Sequence, residues 1–128
     1  MRAAQARIAL VTAGDERQAR AIARTLVDQR LAACVNIVGP IRSVYRWRDS
    51  VEDEPEYLLI IKTRAALLGR LERRVAELHN YEVPEVLALA PAAGSAPYLR
   101  WLFESTAPQP RSAGAMRRAP IRKAARRA

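Results

Sequence analysis

The chain of 128 residues contains one cysteine, one histidine, one phenylalanine and five glycines. Each scarcity excludes something. Cys34 stands alone, so an intramolecular disulfide is impossible and a disulfide-stapled secreted fold is ruled out. With His79 as the only imidazole and no motif around it, no Ser/His/Asp set can be assembled. The glycines fall in neither a G-x-G-x-x-G nor a Walker pattern, so no phosphate-cradling loop is present. Thr12-Ala13-Gly14-Asp15 is too short for an anion cradle and places an acid there. No apolar run approaches the ~18 residues of a membrane span. Ile8 to Ala13 is also too short for a signal peptide, which makes the cytoplasm the expected location.

Acidic residues are missing altogether from one region. Residues 107–128 hold Arg111, Arg117, Arg118, Arg122, Lys123, Arg126 and Arg127 and no carboxylate. That is +7 of a formal net charge of +9. The high pI thus describes a tail, and the body is close to neutral. The tail is rich in Ala, Pro and Arg without apolar periodicity, and is expected to be disordered. The division expected is a domain over 1–106 and a tail over 107–128.

Within the domain, Ile8-Ala9-Leu10-Val11 reads as a strand buried on both faces or nearly so. Asp15 to Gln18 resembles a capping box, with Asp15 accepting an early helix N–H and Gln18 reaching back. Ala19, Ile22, Ala23, Leu26 and Val27 follow at helical spacing. Ala33–Val38 and Ile41–Trp47 are extended, interrupted by Gly39-Pro40. Read continuously they would span about 50 Å at ~3.3 Å per residue. A domain of this size has a radius of gyration of only ~13 Å. Either Gly39-Pro40 bends the strand or its far half leaves the parent domain, and the two are compatible. The polar stretch Arg48 to Glu56 reads as a hairpin loop and Tyr57–Ile61 as a third strand. Thr63 is placed to cap a second helix carrying Leu68, Leu71, Val75 and Leu78, which His79-Asn80 ends. Val86–Leu89 is the fourth strand, and Pro97 opens a short last helix. The order β-α-β-β-α-β predicts an α+β, ferredoxin-like fold: a four-stranded antiparallel sheet, two helices on one face and a short C-terminal helix.

Several strings occur in this order: Leu31-Ala32-Ala33-Cys34-Val35-Asn36-Ile37, Ser43-Val44-Tyr45-Arg46-Trp47, Ile61-Lys62-Thr63, Glu77-Leu78-His79-Asn80-Tyr81-Glu82-Val83-Pro84-Glu85 and Tyr98-Leu99-Arg100-Trp101-Leu102. Over about residues 7 to 105 they resemble the CutA family of divalent-cation tolerance proteins. The resemblance implies a homotrimer with long β2–β3 hairpins reaching onto neighbouring subunits. It also implies a cytoplasmic role in tolerance of copper and other divalent metals, copper binding, and an architectural likeness to the trimeric PII signalling proteins. The chain departs from the family in places. Val11 stands where the copper-binding member has a cysteine, Leu78 where a second histidine sometimes precedes His79, and Arg48-Asp49-Ser50 where Gly-Lys is common.

His79 and Glu85 are the candidate metal ligands, since imidazole and carboxylate suit Cu(II) or Zn(II). The alternative is that His79 caps a helix end and Glu85 is solvated. Cys34, flanked by apolar residues, is expected to be a buried structural thiol. Tyr45 and Trp47 share a strand face, as a base-stacking platform or, preferably, an interface anchor. Lys62, Tyr81, Glu82 and Trp101 are candidates to line a cleft between subunits, with Lys62 beside Glu82 or Glu56 as the structural alternative. The resulting expectation is a non-enzymatic trimer binding copper, another divalent cation or a small ligand. The competing reading is a trimeric scaffold whose basic tails associate with nucleic acid.

Overall fold

A computed structural model describes residues 2–108. Apart from its first two residues, the basic tail lies outside them. Four strands, β1 (Ala6–Ala13), β2 (Cys34–Trp47), β3 (Ser50–Arg64) and β4 (Leu87–Leu89), are accompanied by helices α1 (Glu16–Asp28), α2 (Leu68–Leu78) and α3 (Ala96–Ser105). The antiparallel sheet has the order β2-β3-β1-β4. This is the ferredoxin-like arrangement.

Side chains alternate across a strand, so the pairing decides what is buried. Ala9, Val11 and Ala13 of β1 and Leu59, Ile61 and Thr63 of β3 point to one face and are buried. Ala19, Ile22, Ala23 and Leu26 of α1 and Leu71 and Val75 of α2 cover that face. Each fully buried Ile, Leu or Val among them contributes about 1.5–3 kcal/mol. The small alanines of β1 let α1 approach the sheet closely. The opposite face carries no long helix. Its rows read Leu89, Ile8, Lys62, Cys34 and then Leu87, Leu10, Ile60, Asn36. Only its end is capped, where Ala6 and Ala33 meet Leu99, Leu102 and Phe103 of α3.

The helix ends show which local signals are used. Asp15 Oδ1 accepts the Gln18 N–H at 2.8 Å, the expected cap. The Gln18 side chain does not reach back; it donates to Leu78 O and accepts from Asn80 N–H, tying α1 to the end of α2. Helix α1 closes with Arg30 at φ 60, Arg30 N–H on Val27 O and Leu31 N–H on Leu26 O. This is a Schellman ending with arginine where glycine is usual. The arginine side chain also contributes: its guanidinium donates to Glu104 O and Ala107 O, satisfying carbonyls at the end of α3.

Three expectations need correction. Thr63 caps no helix. It is the fully buried penultimate residue of β3, its hydroxyl donates to Leu31 O at 2.7 Å, and α2 starts after a 3-10 turn at Ala65–Leu67. Arg48 to Glu56 is not a loop. The turn is only Arg48-Asp49, at φ 49 and 68, and Trp47 already pairs with Ser50. Both turn residues are left-handed, as a two-residue hairpin with native twist requires. Cys34 is half-buried on the helix-free face, outside the main core.

Candidate functional site

The hairpin bends where β2 carries two residues against one. Val38 pairs with Leu58 and Ile41 with Glu56, so Gly39 and Pro40 together oppose Tyr57. This is a β-bulge with a cis Gly39-Pro40 bond. Gly39 is required by contact: a Cβ there would lie 2.4 Å from Tyr57 Cδ2. Beyond the bulge, residues 41–56 form an arm that leaves the helix layer. Ser43, Tyr45 and Trp47 share one face of the arm with Glu52 and Glu54, by the pairing Ser43–Glu54 and Tyr45–Glu52. Tyr45 Oη donates to Glu54 Oε1 at 2.9 Å, and that hydrogen bond is the main reason its phenol is pushed up to about 12.

Facing the arm is the segment after α2. His79 ends that helix with extended backbone and is buried. Its Nδ1 accepts the Tyr81 N–H at 3.1 Å, so the ring hydrogen sits on Nε2, which donates to Thr12 O at 2.7 Å. The imidazole therefore pins the segment to β1. Tyr81 tilts against the imidazole at 4.5 Å between ring centroids and passes over Gly14. Its hydroxyl donates to Glu56 Oε2 at 2.6 Å. Burial first, and then that bond, raise the Tyr81 phenol well above its ordinary value.

Between arm and segment lies a groove of about 690 Å³, within the range of small-molecule sites. Thr12 forms part of its floor, Tyr45 and Trp47 stand on one wall, and Tyr81, Glu82 and Glu85 on the other, with Glu56 at the base. At the rim Arg48 spans the two sides. Its guanidinium lies 5.1 Å from the Trp47 ring centroid and donates to Glu82 Oε1 at 2.8 Å.

The groove thus brings together Tyr45, Trp47, Tyr81, Glu82 and Glu85 from among the expected residues. His79, Lys62 and Trp101 do not line it. Lys62 donates to Asn36 Oδ1 on the helix-free face and makes no ion pair with Glu56 or Glu82. Trp101 stacks at a tilt on Tyr98 in α3. Glu56 is a groove residue that the sequence reading misses as a site member. The signal for it is Glu52, Glu54 and Glu56 at period two, which in a strand means one face.

As donors for a metal ion, these residues do not suffice within one protomer. Both His79 nitrogens are engaged, and Glu82 is paired with Arg48. Among the described residues no three of His, Cys, Asp and Glu are grouped to hold an ion. Val11 is fully buried and faces the helices, so a thiol at that position would point into the core and not into the groove.

Comparison with known proteins bears on residues 7–105, which match the family model described as CutA1 divalent ion tolerance protein. The divalent-cation tolerance protein CutA of Thermus thermophilus is 48% identical over 99 residues, covering 77% of this chain and 96% of that protein. Protein CutA of Mus musculus is 44% identical over 98 residues, 77% of this chain but 55% of its own length. The chain thus spans about half of the mouse relative. Among solved structures, the divalent cation tolerance protein Cut A1 from Thermus thermophilus superposes with a TM-score of 0.78 at 46% identity, covering 80% of this chain and 99% of that one. CutA1 from Oryza sativa gives a TM-score of 0.78 at 43% identity, with 80% and 94% covered. A relative from Arabidopsis thaliana is named chloroplastic, and one from Archaeoglobus fulgidus is titled periplasmic. No helix among the described residues is long and apolar enough to cross a membrane.

Proposed function

Because this chain belongs to the CutA1 divalent ion tolerance family, we propose that it is a binding protein of divalent-cation tolerance. In this reading it works as a homotrimer whose grooves take copper, another divalent cation or a small ligand. The observation that carries the reading is the arm. Val44 and Val51 on its outer face are 66% and 63% exposed, and Leu87 and Leu89 on edge strand β4 are 58% and 50% exposed. An isolated two-stranded ribbon is marginal in water, and an exposed apolar edge invites pairing. A second copy laid against these surfaces supports both. Three copies is the number that family likeness implies.

Assembly also bears on the ligand. One protomer supplies Glu82 and Glu85 but no complete donor set, so a metal would need donors from a neighbouring copy. The chemistry proposed is binding, as the family description of divalent ion tolerance suggests. The lone thiol fits the reducing cytoplasm.

Sedimentation of the full chain at micromolar concentration should give a trimer, and a monomer would defeat the assembly. Calorimetry with Cu(II) on tag-free protein tests the ligands. Weaker binding is expected for Glu85→Gln. Equal binding by His79→Ala and the parent would remove His79 from the ligand set.

A further inference from the structure

The groove has a charge character that selects among ligands. Glu56, Glu82 and Glu85 line it, and among the described residues no lysine or arginine does. The decisive member is Glu56. The residue is only 6% exposed, yet among the described residues it has no cationic partner. Tyr81 satisfies Oε2. Among the described residues nothing donates to Oε1. The carboxylate thus has one charge-assisted bond, on Oε2, and its Oε1 is left open to a ligand.

Two aromatic rings complete the chemistry. Tyr45 and Trp47 stand on the wall opposite Glu82 and Glu85. Aromatic faces attract cations, with tryptophan the best of them. The rim already holds one example made from the chain itself: the Arg48 guanidinium rests over Trp47 and is held by Glu82. The interior repeats the pattern of aromatic face and carboxylate, without the cation.

Building on the reading of this groove as the ligand site, we infer that it recognises a small organic cation. The ligand's protonated amine or guanidinium is taken by Glu56 Oε1 and its stem lies along Tyr45 and Trp47. A phosphate-bearing ligand meets three carboxylates here and is disfavoured. A bare divalent ion needs several converging donors, which the protomer does not group among its described residues; an organic cation needs one carboxylate and an aromatic face.

The test is calorimetric titration of the full chain with agmatine, which carries both an amine and a guanidinium, and separately with ATP as an anionic probe. Agmatine should bind saturably, one per chain. Glu56→Gln, which keeps an acceptor for Tyr81, should weaken it about tenfold or more, and Trp47→Leu should weaken it independently. Sedimentation of each variant would establish that the assembly is unchanged. Absence of saturable agmatine binding at millimolar concentration overturns the inference. So does agmatine binding unaffected by both substitutions, which would also remove the groove as the ligand site. Saturable ATP binding that Trp47→Leu abolishes, without agmatine binding, overturns the cationic assignment and leaves the groove standing.

Discussion

Replacing Gly39 with alanine should strike the arm at its root. The new Cβ would sit 2.4 Å from Tyr57 Cδ2 and 2.9 Å from both Cε2 and Cγ. Carbon atoms in contact prefer about 3.5–4.0 Å, so the ring must move by roughly an ångström or the bulge must open. The ring has little room: Tyr57 packs against the main core, and its neighbours Glu56 and Leu58 are held in the β2–β3 ladder. Overpacking of this kind costs about 1–3 kcal/mol. For a domain of this size each kcal/mol lowers the melting temperature by about 4–8 °C. The assay is urea unfolding at fixed protein concentration, followed by circular dichroism, on the parent, Gly39→Ala, Tyr57→Leu and the double variant. The single glycine substitution should lower the midpoint. In the Tyr57→Leu background, where the clashing ring atoms are gone, most of that loss should disappear. An equal loss in both backgrounds would refute the steric argument and leave backbone preference as the cause. No loss at all would refute the close approach itself.

Three further outcomes follow from the geometry. Arg48→Asn combined with Asp49→Gly should stabilise the hairpin by roughly 1 kcal/mol in the same unfolding assay, because both positions are left-handed; the exposed Arg48–Glu82 pair that is lost is worth little. Thr63→Val should cost about 1–3 kcal/mol, since it leaves Leu31 O unsatisfied inside the core. In an alkaline absorbance titration, Tyr45 and Tyr81 should ionise late. Both Tyr45 and Tyr81 have folded values raised above 10.0, so the stability they contribute is complete below pH 10 and fades as pH rises through the folded values. Glu54→Gln should bring the Tyr45 transition down, and an unchanged curve would refute the role of that hydrogen bond.

The element order was legible because α1 and α2 show the helical period of one buried face and the core parts of β1 and β3 are short continuous apolar runs; that only one face of β1 is buried was not legible from such a run. Legibility failed where no face is buried. Val51, Glu52, Asp53 and Glu54 form a strand without an apolar rhythm, because their part of β3 lies beyond the helices. Charge in such a stretch reads as loop. Thr63 failed for the opposite reason: a hydroxyl before a helical pattern signals a cap, and only the depth of the strand shows that it serves the core. Gln18 carries the right chemistry for a capping box, yet its amide is engaged across space with Leu78 and Asn80. Five expected site residues converge on the groove because the sequence strings place them together. The position of Glu56 depends on the bulge, which shifts the register by one residue and is visible in the sequence only as Gly39-Pro40.

That bulge divides one hairpin into two regimes. On the core side, moving the register by a residue would turn buried side chains to the wrong face. On the far side, from Arg42 to Trp47 against Ser50 to Pro55, no residue is buried within the protomer, so burial enforces no register there and length is nearly a free variable. Inserting two residues in each strand would extend the arm by about 6.6 Å at ~3.3 Å per residue while leaving every core contact in place. The arm is then an adjustable reach: descendants of such a chain can lengthen or shorten it in pairs of residues, and so change how far one copy extends over the next, without putting the fold at risk.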